Sequence, residues 1–446
     1  MTGTNHSNRN HPQPKPLEQI SVSEKDGLLA ETVYIEGHET PVQFAIRTTG
    51  GTSIAPCLKI DTREIFPPST TALMAKPGVV LLPSGSTAYG SQEDLITEIK
   101  DFIHRYVDVS LFREELTAHF LLMTWVYDLF TAVPYLRFLG EPGTGKSRML
   151  QVAGHLAYKG IFAGGATTSS PLFRLIEVYR GTVVIDEADY KASEAWTDII
   201  KILNAGYMKG VPVLRSEKVG DTYEPRPYDV YGPKIIGNRF PFDDWALETR
   251  CITLEMDEHQ LRKEIPRQLP PKFYAEAQDL RNKLLQWRFD RLTEIKPDES
   301  ALLHLEPRLT QIGTPVYSVS ASEEFRRQLV EFLSDYGRKQ QTEKPQGIVI
   351  EALAHLMGAV KTGKFTVQAV TEEVNRRCAE GGTAELSAKA VGALLRSVGF
   401  KPTRTGEGYR ITVGRRDLEA LQEKYPVPDD AAVPLAEVAA ESALVN

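Results

Sequence analysis

Gly140-Glu-Pro-Gly-Thr-Gly-Lys-Ser147 is the stretch that decides the fold. It matches the pattern GxxxxGK[ST]. In that pattern glycines let backbone N–H groups close around phosphate oxygens, and the following helix adds the positive end of its dipole. The pattern needs a strand before it and a helix after it. Tyr135–Leu139 is a short apolar run suited to a strand, and Arg148–Leu156 continues as a helix. On this reading Gly140, Glu141, Pro142, Gly143, Thr144 and Gly145 form a phosphate-binding loop. Lys146 reaches the β and γ phosphates of a nucleotide, and Ser147 places its hydroxyl on Mg2+.

Three downstream features extend the site. Thr182-Val-Val-Ile-Asp-Glu187 is an apolar run ending in two carboxylates. Such a run places Asp186 and Glu187 at the C-terminal edge of a buried strand, where α/β sheets present ligand-binding groups. Asp186 is expected to hold Mg2+ and its waters, and Glu187 to orient or deprotonate the attacking water. Lys234-Ile-Ile-Gly-Asn-Arg239 is a second short strand with a polar end, and its Asn238 is placed to polarise that water or touch the γ-phosphate. Arg250 opens the apolar run Cys251–Leu254. An arginine there is expected to project into the next subunit's nucleotide site and neutralise transition-state charge, with Arg239 as its rival.

Outward from these motifs, residues 135 to 256 alternate β-type and helical runs, the pattern of a parallel α/β sheet. Upstream, Ser91 and Asp94 form a capping box for a helix whose apolar positions are Leu95, Ile96, Ile99, Phe102, Ile103 and Tyr106. Leu116 to Val133 is the most apolar stretch, but His119 and Asp128 interrupt it, so it reads as a buried core helix and not a membrane span. Residues 1–16 read as a disordered tail with no apolar signal segment, and 17–90 as a β-rich N-terminal domain with runs at Glu31–Glu36, Val42–Arg47 and Val79–Leu82. The core with its leading helices spans 91–258, a helical lid 259–344, a C-terminal unit 345–416 and an acidic tail 417–446, with Gln340–Gly347 as a linker.

The 446 residues suggest about three domains at roughly 150 residues each. With 41% hydrophobic and 25% charged residues, a mostly disordered chain is excluded. A net charge of −7 argues against a globally basic nucleic-acid coat. The three cysteines, Cys57, Cys251 and Cys378, form no CxxC pair, so a zinc ribbon or disulfide scaffold is not expected and the chain reads as cytoplasmic. No primase is legible, because zinc-ribbon cysteines and a polymerase carboxylate constellation are both missing.

Gly140–Ser147, Val183–Glu187, Asn238, Arg250 and the later Glu306-Pro-Arg308 follow the order of AAA+ ATPases. They resemble the Walker A, Walker B, sensor 1, arginine-finger and sensor 2 elements of that superfamily. The resemblance covers about residues 135 to 336. It implies an α/β P-loop core with a helical lid, ATP with Mg2+ as cofactors, and a homo-oligomeric ring, a hexamer. It also implies that Arg308 contacts the γ-phosphate, although Pro-Arg at a helix start is an ordinary capping arrangement too. Within AAA+ proteins the chain is similar to helicase-like ATPases of phages, plasmids and mobile elements, including minichromosome-maintenance-like ones.

Val211 to Tyr223, followed by Tyr228–Tyr231, reads as a hairpin around a polar Gly-Asp turn. In helicase-type AAA+ proteins a hairpin in this interval grips nucleic-acid backbone, and Arg215 and Lys218 would supply the charge. The alternative is a solvated surface hairpin. At the C-terminus two helix candidates, Val367–Arg377 and Ser387–Val398, precede two β-type runs within Phe400 to Val413, which is a winged-helix pattern. Residues 361–416 hold eleven Lys/Arg against five Asp/Glu. Lys389 and Arg396 on the second helix, with Lys401, Arg404 and Arg410 on the wing, are expected to contact DNA phosphates. Winged helices also serve as protein-contact modules. The leading expectation is an ATP-hydrolysing motor on DNA, replicative-helicase-like and from a mobile element. An ATP-gated DNA-binding initiator or switch without unwinding, and a remodeller of protein partners, remain open.

Overall fold

The computed structural model describes residues 18–19, 22–25, 28–60, 63–164, 169–186, 194–242, 244–256, 262–358, 360–380, 385–406 and 408–425. Its centre is a five-stranded parallel sheet within a mixed α/β fold, as expected for a P-loop-like core. From one edge to the other the strands are Cys251–Glu255, Tyr135–Leu139, Lys234–Asn238, Val183–Ile185 and Ile161–Ala163. The near-continuous apolar texture of these strands follows from burial on both faces. Alternate residues divide between two cores: Leu136, Phe138, Val184, Ile235, Ile252 and Leu254 face one, and Tyr135, Val183, Ile185, Ile236 and Cys251 face the other.

The first core is covered by helices Gln92–Tyr106, Leu111–Thr124, Lys146–Leu156 and Pro271–Arg291. The capping box at Ser91 and Asp94 forms, and the six apolar positions read from the sequence are the buried ones. The second core is covered by Ser169–Tyr179 and Glu194–Ala205. Helix Lys146–Leu156 lies so close to the sheet that a Cβ at Gly154 would come within 2.6 Å of Phe162 and 2.9 Å of Val184.

The apolar stretch expected as one helix from Leu116 is instead helix Leu111–Thr124 followed by a single 3-10 turn, Tyr127–Leu129. Both polar residues inside it have partners. The ring of His119 is hydrogen-bonded to Ser320 Oγ at 3.1 Å, and Asp128 receives Arg288 at 2.7 Å. Among the described residues no helix is long and apolar enough to cross a membrane.

The N-terminal region holds a four-stranded antiparallel sheet, Val22–Lys25, Leu28–Tyr34, Val42–Thr48 and Gly51–Ala55, and a three-stranded one. It is not separated from the α/β core. Leu29, Val33 and Ala45 share the first core. Glu31, 1% exposed, accepts from Lys159 at 2.8 Å, Arg288 at 2.7 Å and Tyr158 Oη at 2.9 Å. Residues 79–82 form no strand of their own; Val80 makes a single antiparallel bridge to Ile161.

Beyond the sheet come helices Pro271–Arg291, Pro307–Ser318 and Glu323–Glu343. The expected linker at 340–347 does not form. Helix Glu323–Glu343 runs to Lys344, and Pro345 starts the next helix, Pro345–Met357. Proline has no N–H and holds its predecessor extended, so it breaks one helix and suits the first turn of another. The C-terminal unit has its own apolar core, including Val349, Leu353, Val370, Val374, Val391, Leu395, Ile411 and Val413. Helices Val367–Glu380 and Ala388–Ser397 pack there beside a three-stranded antiparallel sheet ordered Thr362–Thr366, Gly408–Gly414, Thr403–Thr405. The tail expected from residue 417 begins inside helix Arg415–Lys424, whose Leu418 is buried in this core; residues 1–16 and 426–446 lie outside the described residues.

Candidate active site

The phosphate loop leaves the sheet at Leu139 and enters helix Lys146–Leu156 through Gly145. Gly143 and Gly145 have φ of +92° and +91°, a region that favours glycine. Gly140 is needed for a different reason: a Cβ there would lie 2.5 Å from the carbonyl oxygen of Met256. Thr144 Oγ1 donates to the Glu141 carbonyl at 2.8 Å and tightens the turn. The Lys146 ammonium folds over the loop and donates to the carbonyls of Gly140 and of Glu141, the latter at 2.7 Å. Pro142 lies on the exposed rim of the loop, and Ser147 sits in the first turn of the helix.

Strand order brings the other groups to the same edge. The strand ending in Asn238 lies between the loop strand and the strand leading to Asp186. Gly140 N–H donates to the Asn238 carbonyl at 3.2 Å. Asp186 Oδ1 stands 3.4 Å from where a Cβ of Gly237 would be, which puts the carboxylate next to Asn238, and the group that such a Cβ would crowd is Leu150 at 2.7 Å. Asn238 is 1% exposed, its Nδ2 donates to Phe240 O at 3.4 Å, and its Oδ1 has no hydrogen-bond partner. A buried orphaned acceptor beside a carboxylate and a phosphate-type loop is what a hydrated Mg2+ and a triphosphate would satisfy. Glu187 lies outside the described residues.

Arg250 and Arg308 are elsewhere. Arg250 carbonyl accepts from Tyr135 N–H at 3.0 Å, which puts it at the start of the loop strand. The phosphate loop begins at that strand's other end, about 13 Å away at ~3.3 Å per residue. Arg250 is 9% exposed; it donates to Asn204 Oδ1 and lies with Cζ 4.3 Å from the Tyr207 ring centroid. Its Nε is buried without a partner. Arg308 starts helix Pro307–Ser318, and its Cζ stands 4.8 Å from the same ring. Burial raises the Tyr207 phenol pKa, but hydrogen bonding and charge from Arg308, then Arg250, outweigh it and leave the phenol below its ordinary value. Helix Pro307–Ser318 thus sets Arg308 beside Arg250 and Tyr207, not beside the phosphate loop of the same chain. Arg239, the rival finger, pairs with Glu141 of its own loop at 3.1 Å.

The hairpin forms as strands Val213–Val219 and Thr222–Tyr228 around Gly220-Asp221. Lys218 is exposed near the turn and pairs in register with Tyr223, which is 73% exposed. Arg215 is not at the tip. It pairs with Asp198 at 3.1 Å and lies 4.5 Å over the Phe173 ring, so it anchors the base. Pro225 and Pro227 sit two apart on the second strand of this two-stranded ribbon, so neither offers an N–H for pairing.

In the C-terminal unit Lys389, Arg396, Lys401 and Arg404 are exposed, while Arg410 is half-buried. Lys389 and Arg396 line a groove of about 500 Å³ with Tyr409, which faces Arg404 across the strand pair.

No protein-family model matches the chain, and no curated protein matches it. Solved structures similar to it include one described as SCCmec type IV Cch, active helicase, at 13% identity over 90% of this chain and 80% of that one, with a TM-score of 0.44. An apo structure of the NrS-1 C-terminal region matches at 13% identity over 87% and 96%, TM-score 0.35. A full-length MCM homolog from Methanopyrus kandleri matches at 9% identity over 70% and 78%, TM-score 0.32. These overlaps are too loose to carry any residue's role across.

Sequence reasoning missed Asn204, Tyr207 and the aromatic at the hairpin tip. Tyr223 had a local signal, an aromatic two residues past the Gly-Asp turn. Asn204 and Tyr207 had none, because only packing brings them to Arg250.

Proposed function

We propose that this chain is a cytoplasmic AAA+ ATPase, a helicase-like motor of a mobile element that works on DNA as a hexameric ring. One observation carries the reading: Lys146, Asp186 and Asn238 share one edge of the sheet, while Arg250 and Arg308 lie at the other, out of reach of their own loop. Two arginines so placed serve a neighbouring subunit's site, and a head-to-tail arrangement that closes makes a ring.

In this mechanism Lys146 leaves the loop carbonyls to bind the β and γ phosphates of ATP. Ser147 and Asp186 would hold Mg2+, which would supply positive charge against the phosphates. Asn238 orients the attacking water and Glu187 takes its proton. Arg250 and Arg308 of the adjacent subunit face the γ-phosphoryl group as its charge redistributes. Arg250 must turn out of its contact with Asn204 and Tyr207 to do so, and its unpartnered Nε lowers the cost of leaving. Helices between residues 262 and 344 form the lid. The C-terminal unit is a winged helix whose basic residues, with Lys218 of the hairpin, hold DNA phosphates.

The test measures ATP hydrolysis with and without single-stranded DNA, strand separation on a forked duplex, and mass in the presence of ATP. Stimulated hydrolysis with unwinding by a hexamer is expected. Stimulation without unwinding overturns the motor in favour of an initiator or switch. Hydrolysis by a monomer at the full rate overturns the ring.

A further inference from the structure

A buried ion pair lies between the two edges. Arg137, two residues before Leu139 on the loop strand, is 1% exposed. Its guanidinium grips Glu248 with two parallel hydrogen bonds, one of 2.5 Å, and also donates to Thr253 Oγ1 at 2.8 and 3.0 Å. Glu248 is 5% exposed, and its Oε2 also accepts the Phe242 N–H at 2.9 Å. Phe242 follows Asn238 by four residues, and Arg137 Cζ stands 5.3 Å from its ring. Glu248 ends the short helix Trp245–Glu248, which leads through Thr249 into Arg250. That helix is capped by Asp244, whose other oxygen accepts Asn204 Nδ2 at 3.0 Å; Asn204 is also the partner of Arg250. Tyr336, from helix Glu323–Glu343, donates to Thr253 Oγ1 at 3.0 Å. One carboxylate thus ties the strand feeding the phosphate loop, the segment after Asn238 and the turn before Arg250.

Stability alone does not account for such a pair. Desolvating two charges is costly, and apolar replacements of similar volume are often neutral or better. What a buried bidentate pair supplies is fixed geometry. We propose that Arg137 and Glu248 are positioning residues that couple the phosphate loop and Asn238 of one subunit to the setting of that subunit's Arg250, and so govern hydrolysis in the next subunit's site. The proposal rests on the in-trans reading above and specifies its regulation. A shift of the loop strand or of the segment after Asn238 when nucleotide binds is carried by Glu248 to the turn that aims Arg250. Occupancy of one site then sets activity in the neighbouring one.

The experiment separates the subunit that donates the arginine from the one that donates the phosphate site. Glu187→Gln subunits, which keep ATP bound, supply only the arginine edge, and Arg250→Ala subunits supply only the loop edge. Their mixture regains hydrolysis at mixed junctions and sets the reference. Arg137→Met with Glu248→Gln is then added to one partner at a time. This double change leaves no charge buried alone, and the glutamine oxygen still accepts the Phe242 N–H. Melting and assembly of the variant confirm that it folds. Placed in the Glu187→Gln subunit, the change is expected to lower recovered activity at least tenfold; placed in the Arg250→Ala subunit, at most twofold. Equal losses in both placements, or none in the first, overturn the proposal alone. No recovery in the reference mixture overturns the in-trans reading and this proposal with it.

Discussion

Lys146 shows how little a single residue can be read without its surroundings. Its ammonium is held by two loop carbonyls, partners that phosphate oxygens outbid because they carry full charge. Lys146→Ala should therefore weaken ATP binding, seen in a nucleotide titration. Glu187→Gln should keep binding and lower phosphate release by about 10²-fold or more; wild-type turnover would remove Glu187 as the base. The two arginines at the far edge behave differently. Arg250→Ala should reduce hydrolysis by about 10³-fold, the lower end of the range for such groups, with ATP affinity nearly unchanged. Arg308→Ala should do the same to a smaller degree. A selective loss of ATP affinity in Arg308→Ala, measured on dispersed monomers, would return that residue to its own subunit's site.

Among elements, helix Leu111–Thr124 carries a titration. His119 stacks on Phe325 at 3.6 Å, and burial lowers its pKa to about 4 from an ordinary 6.5. His155 is lowered to about 4 for the same reason. Between about pH 6.5 and 4 the unfolded chain binds protons at these rings that the folded chain refuses. Stability therefore falls as the pH drops through that window, by about 3 kcal/mol for His119, and levels off below it. Urea denaturation between pH 7 and 4.5 should show a shallower loss in His119→Gln; an unchanged slope would mean that the ring is not buried neutral. The hairpin gives a second prediction at this scale. Lys218 supplies phosphate charge and Tyr223 an exposed ring for a base, a contact of about 1–3 kcal/mol. Tyr223→Ala should weaken single-stranded DNA binding about tenfold, and Lys218→Ala should also flatten its salt dependence. Arg215→Ala should act instead through a loosened hairpin base.

At the scale of the molecule, the N-terminal sheet and the core are one body held by charge as well as by apolar contact. Glu31, Lys159 and Arg288, all buried, form a network with the half-buried Asp128 that holds two charges of each sign. Burial lowers the Lys159 pKa, and Glu31 opposes that shift. Glu31→Gln leaves Lys159 and Arg288 with Asp128 alone, so stability should fall by about 3–5 kcal/mol. Chemical denaturation followed by probes in both regions should move together. Early loss of the N-terminal sheet with the core unchanged would make it an independent domain. The C-terminal unit, with its separate core, should respond little to this substitution.

Features that depend on neighbours along the chain could be read from residue order alone. The glycine loop and its flanking strand and helix were legible because positive-φ glycines, an apolar run and a helix start act within a few residues. The capping box at Ser91 and the buried face of helix Gln92–Tyr106 were legible for the same reason, as was the hairpin turn at Gly220-Asp221. Asp186 and Asn238 could be assigned to the ends of buried strands, since an apolar run that stops at a polar residue marks a sheet edge. That Arg250 opens a strand was legible too, but the edge that Arg308 occupies emerged only from helix packing, which no local pattern records. Order along the chain suggested only a γ-phosphate contact for Arg308, whereas packing of helix Pro307–Ser318 sets it against Tyr207. Arg215 read as a free basic residue until Asp198 and Phe173 came to meet it. The linker expected at 340–347 failed because polar composition alone does not distinguish a loop from an exposed helix end. Arg137 and Glu248 are 111 residues apart, and a buried pair of that separation exists only once the sheet has closed.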